Sequence, residues 1–216
     1  MDRSLIESGL ERIGVPYDGK MIDDLVKYVN EILLFNPVYK LVGDKDPDEI
    51  IIRHVLDSAA AYPVFMEETV SGDTIADLGS GAGFPGIVLS IIMRDRSFVL
   101  IDRMTRRILF LGGAVAKLKL GNARVLEKDA KDIAEKYDAV TCRAFHPLYD
   151  IASMVTRIVR SDAPCLFYKG PKANALSELD VLRGEGYTFS ERIVGIKVPY
   201  LDEARTVCVL RNLKEK

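Results

Sequence analysis

The residues best suited to chemistry stand in one run, Asp77-Leu78-Gly79-Ser80-Gly81-Ala82-Gly83-Phe84-Pro85-Gly86. Gly79, Gly81 and Gly83 let a backbone turn sharply and come close to a ligand. Gly81 to Gly86 fits the G-x-G-x-x-G spacing of dinucleotide sites, which many nucleotide-free turns also share. Asp77 separates the ligands. A fixed carboxylate two residues ahead of the first glycine repels a pyrophosphate and attracts a cation. S-adenosylmethionine carries a sulfonium and an ammonium group, so the turn is expected to hold that cofactor rather than NAD or a flavin. Asp102, 25 positions further on, falls where a doubly wound fold sets a carboxylate against ribose hydroxyls. Asp129, followed by Ala130 and Lys131, either borders the adenine ring or caps a helix.

Cationic residues form a second group. Arg143 follows a β-prone run and is expected at the site itself, against cofactor or substrate; the plainer reading is a surface ion pair. Arg103, Arg106 and Arg107 cluster after the Asp102 strand, and Lys169 and Arg205 each stand at a strand end. Together they read as a basic rim able to meet RNA phosphates, or else as solvated charges. His54, between Ile52 and Leu56, is either half-buried and bonded to a neighbour or in contact with RNA; His146, before Pro147, carries less for either role. Cys142, Cys165 and Cys208 lie far apart without a CxxC pair, so buried thiols are expected and no metal site.

The elements that must position these residues follow from periodicity. From Lys20 to Phe35, Ile22, Leu25, Val26, Val29, Ile32 and Leu33 fall on one helical face. Asn36 to Asp44 reads as a loop. Asp46 and Pro47 start a second helix that runs to about Ala60. After Gly72, β-prone runs alternate with helical ones, the pattern of a parallel sheet with crossover helices. Strands are predicted at Thr74–Leu78, Phe98–Asp102, Ala123–Glu127, Tyr137–Cys142 and Ala163–Lys169, with helices beginning near Pro85, Thr105, Ala130, Tyr149 and Lys172. Tyr187–Val198 and Arg205–Leu210 are separated by a loop too short for a crossover, so they are predicted to pair antiparallel. The organisation is a helical N-terminal extension, residues 1–70, on an α/β domain, residues 71–216, forming one compact unit.

Bulk properties set limits. The 216 residues suit one domain of ordinary size, with 29% charged and 48% hydrophobic residues. The opening Met1-Asp2-Arg3-Ser4 has no apolar signal-peptide region, and no run is long enough to span a bilayer, which predicts a cytoplasmic protein without membrane contact. A net charge of −2 argues against a protein that coats naked nucleic acid, while leaving room for a local basic patch.

With these residues in view, the chain resembles the bacterial small-subunit ribosomal RNA methyltransferase G family, also called glucose-inhibited division protein B. The carriers are Arg53-His54-Val55-Leu56-Asp57-Ser58 and the glycine run through Phe84-Pro85-Gly86-Ile87. Others are Arg106-Arg107 with Phe110-Leu111, Arg143-Ala144-Phe145, Lys169-Gly170, and Val198-Pro199 with Leu201-Asp202 and Arg205. The resemblance spans about Lys20 to Leu210. It implies a doubly wound, mostly parallel, seven-stranded Rossmann-like methyltransferase sheet with an antiparallel C-terminal pair and an N-terminal helical extension. It further implies methyl transfer from S-adenosylmethionine to N7 of a guanine in the 530 loop of 16S ribosomal RNA, with naked RNA or a small subunit as partner. Cofactor contacts would fall on Gly79, Phe84, Ala130, Lys131 and Arg143. Guanine N7 has a lone pair and no proton, so no general base is expected and Arg143 would act by positioning. The chain departs from the family pattern at Lys40, Val42, Cys142 and Thr206, positions that bear on RNA contact more than on the cofactor. The alternatives are a methyltransferase of the same fold acting on a protein or small metabolite, a non-catalytic cofactor-binding protein, and a dinucleotide oxidoreductase.

Overall fold

The computed structural model describes residues 3–216; Met1 and Asp2, part of the stretch read for an export signal, lie outside the described residues. The N-terminal segment is helical. Helix α1 (Arg3–Ile13) is followed by α2 (Gly19–Tyr39), whose start is capped by Asp18 accepting from Met21 N. Helix α2 runs past the predicted end at Phe35 and through Pro37, stopping at Lys40 in the left-handed conformation. The Asn36 side chain closes this end, accepting from Leu41 N and Val42 N.

The predicted helix from Asp46 is present but is not uniformly α-helical. Asp46 caps α3 (Pro47–Ile50), accepting from Asp48 N and Glu49 N, after which the chain widens into a π-helical segment, Ile51–Leu56. It tightens again at α4 (Asp57–Ala59) and is followed by α5 (Tyr62–Glu68). The wider segment buries Ile51, Val55 and Leu56 and leaves Arg53 and His54 half-buried on its other side.

Strands and helices then alternate: β1 (Thr74–Leu78), α6 (Gly86–Ile92), β2 (Ser97–Asp102), α7 (Thr105–Leu118) and β3 (Ala123–Glu127). A single 3-10 turn (Ala130–Asp132) leads to β4 (Ala139–Arg143), α8 (Leu148–Ile158), β5 (Cys165–Lys169), α9 (Lys172–Gly184), β6 (Tyr187–Ile196) and β7 (Arg205–Glu215). Several expectations need correction. Strand β5 starts two residues after Ala163, and β6 ends two residues before Val198. The helix expected from Ala130 is only that 3-10 turn, capped by Asp129. Strand β4 starts two residues late because Tyr137 bridges to Val159 in isolation instead of joining the sheet. Strand β7 continues five residues beyond Leu210, pairing as far as Glu215 with Tyr187.

The sheet order is β3-β2-β1-β4-β5-β7-β6, parallel except that β7 runs antiparallel to β5 and β6. Successive residues alternate between its faces, as the pleat requires. Ile75, Phe98 and Leu100 pack with α1, α2, α6 and α7, whereas Ala76, Val99 and Ile101 pack with α8 and α9. The N-terminal helices therefore share an apolar core with one sheet face. The order reverses between β1 and β4, and open α/β sheets bind ligands in the crevice outside the strands' carboxyl ends at such a point.

Candidate functional site

The crevice at that reversal is a cavity of about 1100 Å³. One wall is the turn after β1. Gly79, Gly81 and Gly83 all have positive φ, +67°, +59° and +99°, which L side chains adopt at a cost. Gly79 also needs its bare Cα for space, since an added Cβ would run into the Phe145 ring. The turn is tied down from two sides. Asp102, at the end of β2, accepts from Gly81 N at 3.0 Å through one oxygen and from Met104 N at 2.9 Å through the other. From the helical segment, Tyr28 donates its hydroxyl to Ala82 O at 2.6 Å.

Asp77 is where the structure departs most from the charge argument made from sequence. Its side chain is fully buried and does not line the cavity. Oδ2 accepts from Gly86 N at 3.0 Å, holding the first turn of α6, and Oδ1 is buried without a partner among the described residues. Burial pushes this carboxyl up from 3.8 to about 7. A full negative charge facing a ligand cation is thus not what Asp77 offers at neutral pH; its geometry serves the turn. Gly86 is bare for the same junction, because a Cβ there would strike Leu100 and Asp77.

The opposite wall is made of side chains. Arg143, at the end of β4, donates from Nη1 to Asp57 Oδ2 at 2.7 Å and to the Arg53 carbonyl at 3.1 Å. Its Nη2 lies 3.0 Å from His54 Nδ1. Arg205, at the start of β7, donates from Nε to the other oxygen of Asp57 at 3.0 Å and from Nη2 to Glu203 at 2.8 Å. His54 Nε2 is 2.8 Å from Asp44 Oδ2, and its ring stacks on Phe84 with centroids 4.9 Å apart. The Arg143 guanidinium also lies over Phe84, 5.1 Å from its centroid. Burial and the nearby Arg143 charge push the His54 imidazole below its usual 6.5.

The remaining site residues separate into those at the cavity and those away from it. Arg103, Asp129 and Ala130 line the cavity, with Arg103 three-quarters exposed and 3.6 Å from Asp129. Lys131 sits outside the lining, exposed, 3.8 Å from Asp129. Phe145 and His146 line it and pack edge to face. The sequence grouped Arg106 with Arg107 and added Lys169 and Arg205 as one basic rim, and the structure divides that group. Arg106 is exposed on α7; Arg107 turns inward to Asp102 at 3.2 Å. Lys169 is largely buried and paired with Glu178 at 2.7 Å, and Arg205 is held by two carboxylates. Neither offers a free charge to phosphate. Sequence reasoning missed Asp57 and Asp44 as members of the site. Asp57 had a readable signal: a carboxylate inside the apolar helical run from Val55 to Ala61 must be buried, and a buried carboxylate needs a cation.

A seven-stranded sheet in this order, with a glycine turn after its first strand, defines the class I fold of S-adenosylmethionine-dependent methyltransferases. The chain is similar in structure to an S-adenosylmethionine-dependent methyltransferase from Aquifex aeolicus, with a TM-score of 0.56 at 17% identity over 76% of this chain and 93% of that one. It is also similar to precorrin-6y C5,15-methyltransferase from Geobacter metallireducens, with a TM-score of 0.54 at 14% identity over 80% and 92%. At these identities the likeness shows the fold. Residues 21–193 match the family model described as rRNA small subunit methyltransferase G, and the chain belongs to that family. It is 34% identical to the ribosomal RNA small subunit methyltransferase G of Borrelia hermsii over 76% of this chain and 79% of that protein. The protein of the same name from Acinetobacter baumannii is 29% identical over 96% and 97%.

Proposed function

We propose that this protein transfers a methyl group from S-adenosylmethionine to N7 of a guanine in the 530 loop of 16S ribosomal RNA, inside the cavity between the glycine turn and the Arg143 wall. The observation that supports it is the match of residues 21–193 to one rRNA methyltransferase family, on a chain whose cavity stands at the methyltransferase ligand edge.

The walls suit that cofactor. Gly79 and Gly81 line the cavity with bare Cα atoms, and Asp102 Oδ1, which accepts from Met104 N while Oδ2 takes Gly81 N and Arg107, keeps a lone pair for a hydroxyl. In this reading Gly79, Gly81, Gly83, Phe84 and Asp102 shape the cofactor end, with Asp129, Ala130 and Lys131 bordering its far side. The cofactor supplies an electrophilic methyl on sulfur. The chain supplies placement. Guanine N7 needs no deprotonation, and His54 has both ring nitrogens engaged, so no residue is assigned as base. Phe145 offers a ring for stacking the guanine, and holding the reactants in line is worth roughly 7–11 kcal/mol. Arg103 and Arg106, exposed beside the cavity, are assigned to phosphates. With Lys169 and Arg205 neutralised and Arg103 beside Asp129, the basic surface at the cavity is small for bare RNA, which favours an assembled small subunit in the cytoplasm as substrate. Residues 1–70 and 71–216 act as one unit here, since Arg53, His54 and Asp57 complete the wall that Arg143 begins.

Incubation with labelled cofactor and small subunits lacking the modification is expected to place one methyl on guanine N7 in that loop. Label on ribosomal protein, on a small metabolite or nowhere would overturn the reading.

A further inference from the structure

We propose that His54, in its neutral form, positions Arg143, so that the N-terminal helical segment sets the aim of the arginine in the site. This rests on the reading of the cavity given above.

The hydrogen bonds around His54 fix its protonation. Asp44 Oδ2, a carboxylate oxygen, can only accept, so the Nε2 beside it at 2.8 Å carries the proton. Arg143 Nη2 can only donate, so the Nδ1 facing it at 3.0 Å carries a lone pair. One proton and one lone pair make a neutral imidazole with its tautomer set by its neighbours. Both members of the pair then rest on Phe84, His54 stacked at 22° and Arg143 over the ring, which keeps them at one height.

Arg143 is gripped at two points by the helical segment. Asp57 and the Arg53 carbonyl take the Nη1 protons, and His54 takes one from Nη2. The first contact holds the guanidinium in place and the second fixes its rotation. Among the described residues no protein partner takes the Nε proton or the second Nη2 proton, which leaves two donors for a ligand in the cavity. Asp57 alone would leave the group free to pivot.

A proton added at Nδ1 would set N–H against N–H across 3.0 Å, with two positive charges. The groups facing His54 are Arg143 from β4, Asp44 from the loop after α2, Asp57 from α4 and the Phe84 ring from the glycine turn. Arg53, its chain neighbour, is engaged with Glu49 and Glu203. Burial and Arg143 outweigh the two carboxylates, holding the imidazole neutral to below its usual 6.5. Positioning is therefore intact near pH 7.5 and is lost on the acid side.

The chain has two histidines, so nitrogen-resolved NMR of the cofactor-free protein, with His146→Gln for assignment, reads His54 directly. The expected result is the Nε2–H tautomer titrating below 6.5, and moving up in Arg143→Ala. Single-turnover methyl transfer is expected to fall with the same titration. His54→Asn keeps an acceptor near Arg143 and cannot protonate, so it should retain the rate at pH 7.5 within several-fold and lose the acid limb. His54→Ala should slow turnover about 10- to 100-fold, the size of a small misplacement, with cofactor affinity by calorimetry little changed. An Nδ1–H tautomer, a titration above 6.5, or an acid limb unchanged in His54→Asn would overturn the proposal. Failure to bind cofactor or methylate RNA in the wild-type protein would overturn the functional reading instead, leaving the NMR test intact.

Discussion

The glycine wall of the cavity is held through its backbone groups, by Gly81 N on Asp102, Gly86 N on Asp77 and the Tyr28 hydroxyl on Ala82 O, with a bare Cα at Gly79. Across from it, Arg143 meets Asp57 from 86 residues away and Arg205 meets it from 148 residues away, with His54 and Asp44 completing a network of charged side chains. The first wall is vulnerable to atoms added and the second to atoms removed. The difference follows from what each is made of. Backbone donors survive most substitutions, so a turn fails when a side chain intrudes; half-buried ions depend on every partner, so a network fails when one leaves.

The sharpest test is Asp57→Ala. It strips Arg143 and Arg205 of the carboxylate they share, where the Asp57 side chain is 5% exposed. Stability is expected to drop by about 3–5 kcal/mol, read from the urea midpoint. A loss below about 1 kcal/mol would mean that water already screens the network. The glycine wall should answer to addition. Gly86→Ala drives a Cβ into Leu100 and Asp77 and should cost about 1–3 kcal/mol. Gly79→Ala combines left-handed strain of about 1–2 kcal/mol with a collision on Phe145, and calorimetry should show weakened cofactor binding. Normal affinity there would move the ligand off this wall.

Asp77 allows a comparison by pH. Its carboxyl titrates near 7 in the fold and near 3.8 unfolded, so the folded protein holds the proton between these values. The stability this contributes is full below 3.8 and is lost as pH rises through 7. Asp77→Asn cannot lose that proton, so its stability relative to wild type should climb from pH 4 to pH 8. His54 pulls the other way, its neutral form costing stability as pH falls below 6.5, but it does so in both proteins and cancels. A flat difference would place the Asp77 titration elsewhere. The smallest effect is expected from Arg106→Ala, which touches neither wall. RNA affinity should weaken with a salt slope shallower by about 0.7–0.9, while cofactor affinity stays unchanged. An unaltered slope would make Arg106 a solvated charge.

How much could be read from sequence divides along the same line. The glycine turn and Asp102 were legible because each directly follows or ends a strand with its own local pattern, and β1 has the predicted limits while β2 starts one residue earlier. The Arg143 wall was legible only in part. Arg143 and Arg205 were singled out, but their shared partner Asp57 was not, since a contact across 86 residues leaves no local period. Lys169 shows the converse error: a lysine at a strand end looks free until Glu178, on the following helix, is seen to neutralise it. Asp77 was judged by charge without its burial, and burial decided its state.

The widened turn at Ile51–Leu56 constrains chain length as well as composition. A π-helical turn holds one residue more than an α-helical one, and each residue of helix turns the chain by about 100°. Deleting a residue between His54 and Asp57 would let the segment relax to ordinary α-helix with the flanking turns near their present phase, while bringing His54 one position nearer to Asp57 in the chain. At about 100° per residue, two positions are about 200° apart, so His54 would leave the side it shares with Asp57 and could not meet Arg143 beside it. The segment therefore answers to the length of chain between His54 and Asp57 as well as to the side chains it carries.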